Sequence, residues 1–133
     1  MKKYLKSWWK SIVWTSLILY GTLTPTDKLP ETNLMNFEFA DLVVHAAIFM
    51  VLYILLIWEL GIVYQFPMHR KKSLVIATCV IMFGLILEFI QHFFIRTRNG
   101  NIFDFLANSF GVVLAYIFLD LAYKKYFSVK QRT

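Results

Sequence analysis

The sequence is poor in charge and nearly devoid of cysteine. Only 17% of its 133 residues are charged, against 59% apolar and 18% aromatic, and the mean hydropathy is +0.58. So few charges cannot clothe a water-soluble globule, and a soluble domain is excluded. The single cysteine, Cys79, rules out an intramolecular disulfide and any CxxC metal or redox site, and its mid-span position predicts a buried packing residue. There is no internal repeat and no low-complexity run. The net charge of +6 comes without the basic stripe and stacking aromatics that nucleic-acid binding needs. Nor does the length leave room for an enzyme module beside the apolar blocks, so residues 1–133 are read as one domain.

What is present is hydrophobic length. A hydrocarbon core of about 30 Å requires roughly 20 apolar residues of helix, which the blocks 42–61, 73–95 and 102–123 supply. A fourth block, 8–23, is shorter and carries Lys10, whose ammonium must snorkel or thin the bilayer. Lys2, Lys3 and Lys6 ahead of it also fit a signal peptide, but no small-residue cleavage site follows before Pro25, so the block is read as a retained span. The expected fold is an all-α integral membrane bundle of four transmembrane helices.

Positive charge orients such a bundle. Lys2, Lys3, Lys6 and Lys10 precede the first block, Arg70, Lys71 and Lys72 lie between the second and third, and Lys124, Lys125, Lys130 and Arg132 follow the fourth. The other ends carry only Lys28, Arg96 and Arg98. Both termini are therefore expected in the cytoplasm. Trp8, Trp9, Trp58, Tyr64, Tyr123 and Tyr126 then become anchors at the inner interface. Glu59 and the i, i+4 pair Asp120 and Lys124 are read as ordinary interfacial charges.

Polar side chains inside apolar helices are costly unless paired or wetted, and here they recur at helical spacing. Asp41 and His45 are four apart. Gly84, Glu88 and Gln91 follow i, i+4, i+7, as do Asp104, Asn108 and Gly111. With a rise of 1.5 Å per residue, Glu88 and Asn108 both fall about 10 Å inside the outer ends of their helices. The groups thus meet at one depth, in a polar pocket facing outward, with the two glycines allowing close helix approach and Arg98 placed to cap it.

These spacings resemble the VanZ-like family over about residues 20 to 115. The similarity lies in G-x-x-x-E-x-x-Q at Gly84, Glu88 and Gln91, in Arg98, in D-x-x-x-N-x-x-G at Asp104, Asn108 and Gly111, and in Leu23-Thr24-Pro25. Asp41 and His45 match the family's D-K-x-x-H element, except that Leu42 stands where lysine is usual; Arg96-Thr97 replaces a common Pro-Gly. The resemblance implies a small multi-pass protein of the bacterial inner membrane, in a family named for low-level teicoplanin resistance. It implies no reaction and no cofactor.

Several functions fit these residues. The first is a ligand-binding pocket for an envelope component, a lipid head group or a glycopeptide-related ligand, lined by Asp41, His45, Glu88, Gln91, Arg98, Asp104 and Asn108. A second is a membrane-embedded enzyme with Glu88 or Asp104 as the acid or base. A metal site drawn from His45, Glu88, His92 and Asp104 is disfavoured, because H-x-x-x-H is absent and no cysteine assists. The last is a structural or interaction protein whose polar cluster only locks the helices. Membrane lipids are the expected partners, with no nucleic acid; a protein partner is not indicated.

Overall fold

A computed structural model describes residues 8–24, 38–64, 70–95 and 101–130. They form four helices, α1 (Trp9–Leu23), α2 (Glu38–Tyr64), α3 (Arg70–Phe94) and α4 (Ile102–Lys130). Three contain stretches long and apolar enough to cross a membrane, Ala40–Gly61, Arg70–Phe94 and Ile102–Lys125. The 15 residues of α1 reach only about 22 Å, short of a bilayer core. That helix stops where its sequence dictates. Thr24 precedes Pro25 and takes an extended backbone (φ −75, ψ 129), while its N–H still bonds the Tyr20 carbonyl at 3.1 Å. The start of α4 is set by Asn101, whose side-chain oxygen accepts the Phe103 N–H at 3.1 Å.

Contacts along the helices fix their directions. Thr22 meets Gln91, so α1 runs with α3; His45 meets Asn108, so α2 runs with α4; Tyr53 meets Ser73 and Arg70 meets Asp120, so α3 is antiparallel to both. The chain therefore passes up and down four times. One end gathers Trp8, Lys10, Arg70 to Lys72 and Lys124. The other gathers Thr24, Asp41, Gln91 and Asn101.

The core lies between α2, α3 and α4, centred on Phe49, Leu52, Tyr53, Ile57, Leu87, Val112 and Ala115, with Ile18 of α1 against it. Packing is closest between α2 and α4, where a Cβ built on Gly111 would lie 2.0 Å from the Ala46 carbonyl oxygen. A side chain there is incompatible with the observed helix separation. At Gly84 the neighbour is softer: a Cβ would meet the Phe49 ring at 3.0 Å. Outward faces are apolar, with Val43, Val75, Phe89, Phe93, Phe110 and Phe118 all exposed. Buried His45, Glu59, Glu88, Gln91 and Asn108 stand inside. Polar groups within and apolar groups without is the arrangement lipid contact favours, since water would oppose so large an apolar surface.

Two expectations need correction. Cys79 is exposed rather than buried, because the inward stripe of α3 runs through Ala77, Val80, Gly84, Leu87 and Gln91 and position 79 falls off it. Glu59 is not an ordinary solvated charge near the span's end: the residue is 1% exposed, enclosed by the bundle. Its Oε1 accepts the backbone N–H groups of Lys10 at 3.1 Å and Ser11 at 3.3 Å. The N-cap residue of α1, Trp8, supplies no side-chain cap, and the first turn holds no acid, so its orphan amides take their carboxylate from α2. Asp120 and Lys124 pair as expected at 2.9 Å, and Arg70 joins them at 2.9 Å, clasping α3 to α4.

Candidate functional site

The polar residues at the Asn101 end divide into two sets by what they touch. Gln91 and Glu88 serve helix ends. The Gln91 amide donates from Nε2 to the Thr22 carbonyl at 2.7 Å, satisfying one of the last four carbonyls of α1. Glu88 Oε2 accepts the Asn101 backbone N–H at 3.2 Å, at the N-cap of α4. An acidic side chain on that N–H is the usual partner in a capping box, supplied here by another helix.

The second set is assembled by two i, i+4 pairs on parallel helices. Asp41 and His45 on α2 face Asp104 and Asn108 on α4, and the register is held by Gly111 against Ala46 one turn further on. His45 is 5% exposed, with Nδ1 3.1 Å from Asn108 Oδ1. With the proton assigned to Nδ1, the ring donates to that oxygen and Nε2 keeps its lone pair. Nε2 is 3.8 Å from Asp41 Oδ1, too long for a hydrogen bond. One nitrogen of His45 and one carboxylate oxygen from each of Asp41 and Asp104 lie within 4.8 Å of one another. The Asp41 side chain is 49% exposed, so the cluster opens at the surface of the bundle.

Of the site residues expected from sequence, Asp41, His45, Asp104 and Asn108 come together around one point, and Gly84 and Gly111 sit at close helix approaches. Arg98 lies outside the described residues. His92 is exposed on α3, its ring edge-on to Phe93 at a centroid distance of 5.0 Å, and takes no part in the cluster. Sequence reasoning missed Glu59, Thr22 and Asn101. Asn101 was detectable, since Asn-Ile-Phe-Asp is an N-cap followed by an acid three residues on.

Two carboxylates and a buried imidazole around a common point can hold a cation, an ammonium group, or the hydroxyls of a sugar. Matching no family model, the chain also shows no significant similarity to a curated protein or a solved structure.

Proposed function

We propose that the chain is a VanZ-like integral membrane protein of the bacterial inner membrane, with both termini cytoplasmic, that binds the head group of an envelope component at its outward end. The observation carrying this reading is the buried His45, held by Asn108, with a ring nitrogen within 4.8 Å of a carboxylate oxygen of Asp41 and of Asp104. Glu88 and Gln91 are accounted for by the helix ends that they complete. His45 completes no helix end: burying an imidazole beside two acids exceeds what locking α2 to α4 requires, and such polar investment within a membrane bundle is a sign of function. The link to teicoplanin susceptibility is what the family resemblance adds.

Mass spectrometry of lipid copurifying with the protein tests this. The wild type should carry a lipid or glycolipid class enriched over the bulk membrane, and a double variant Asp41→Asn/Asp104→Asn should lose it. Identical profiles, both matching the bulk membrane, would refute head-group binding.

Orientation rests on the segregation of Lys10, Arg70 to Lys72, Lys124 and Lys125 at one end of the bundle. Reporter fusions after Lys72 and Lys130 should read cytoplasmic, and one after Glu31 external. An external signal after Lys72 would turn the cluster to face the cytoplasm.

A further inference from the structure

We propose that Asp41, His45 and Asp104 form a binding site for a divalent transition-metal cation of the zinc or manganese type. It rests on reading this end of the bundle as the ligand-binding end, and names the chemistry by which a ligand is held.

Three features support it. The donor set is one imidazole nitrogen and two carboxylate oxygens, gathered within 4.8 Å from two helices whose backbones are locked together at Ala46 and Gly111. Such a mixed set suits zinc or manganese better than magnesium or calcium, which prefer oxygen alone. His45 is buried, and its Nδ1 is occupied by the Asn108 side-chain oxygen. A hydrogen bond from the second ring nitrogen is what orients metal-binding histidines and fixes their tautomer, leaving the Nε2 lone pair for the metal. Nε2 lies 3.8 Å from Asp41 Oδ1, on the side of the ring away from Asn108. Closing the donors onto a metal needs adjustments of about 1 Å, within reach of Asp41, whose side chain is half exposed.

Three protein ligands leave coordination positions open toward the surface. A phosphate or hydroxyl oxygen of a head group can take one, which resolves how a site with two carboxylates accepts an anionic lipid.

The test uses the full chain, free of any affinity tag, in detergent micelles after stripping with a chelator. Zn²⁺ alone is titrated in competition with a chromophoric zinc indicator, and thermal unfolding of each variant reports that it is folded. One equivalent per chain is expected, with affinity reduced about 10-fold or more in Asp41→Asn and in Asp104→Asn. His92→Ala should bind as the wild type does. Because Asp41 is half exposed, Asp41→Asn keeps the test open even where a change at the buried His45 prevents folding. No zinc bound by the wild type would overturn the site. So would unchanged affinity in both aspartate variants, or loss of binding in His92→Ala. The lipid reading fails separately: zinc bound as expected with no enriched lipid leaves the cation site standing, whereas lipid enrichment without zinc removes the cation site alone.

Discussion

Glu59→Leu is expected to destabilise the bundle by about 3 kcal/mol, because it leaves the Lys10 and Ser11 amides without their carboxylate, and a buried unsatisfied donor costs about 1–3 kcal/mol. Leucine fills much the same volume, so packing loss contributes little. Glu59→Gln retains one acceptor oxygen but loses the negative charge at the start of α1, and should cost about 1 kcal/mol. Both are measured as unfolding free energies in mixed micelles. If leucine were no worse than glutamine, the cap would be irrelevant and Glu59 would be a tolerated buried charge.

Gly111→Val should have an effect of similar size by a different route. The added Cβ falls on the Ala46 backbone, which cannot swing aside as a side chain does, so α2 and α4 must separate. Overpacking typically costs about 1–3 kcal/mol, and a backbone obstacle places this substitution at the upper end. The separation also pulls His45 from Asn108, so the zinc and lipid binding proposed for this end should be lost together with stability. The glycines form a graded series. Gly84→Ala meets the Phe49 ring at 3.0 Å and the Asn108 Cβ at an ordinary contact of 3.5 Å and should be mild; Gly21→Ala meets nothing within 4 Å and should be neutral. Equal stability at all three positions would show that helix separation is not set at Gly111.

Apolar length made the three long helices readable, and helical spacing alone grouped Asp41 with His45 and Asp104 with Asn108. Facing was another matter. In a water-soluble helix the apolar stripe points inward, but here both faces are apolar, so periodicity gives no inward direction. Cys79 was misplaced for that reason. Only polar residues mark the interior, and Glu59 was discounted because it lies two residues from the end of its span, where a charge needs no partner. Its role depends on what another helix lacks: α1 supplies no cap of its own. No local pattern around position 59 encodes that deficit. The division of labour between Glu88 and His45 was likewise hidden, since it is decided by which helix end each side chain reaches.

The dependence of α1 on later segments bears on how the protein is made. Its first amides are satisfied by a residue 48 positions downstream and its Thr22 carbonyl by one 69 positions downstream. When α1 leaves the ribosome neither partner exists, and a short helix with open ends and Lys10 near its start is a poor membrane resident on its own. Its stable integration must therefore wait for α2 and α3. Until then the insertion machinery, or the head-group layer, has to shelter it, so a chain truncated before Glu38, carrying α1 without α2 and α3, should be extractable by alkaline wash while the full chain resists it.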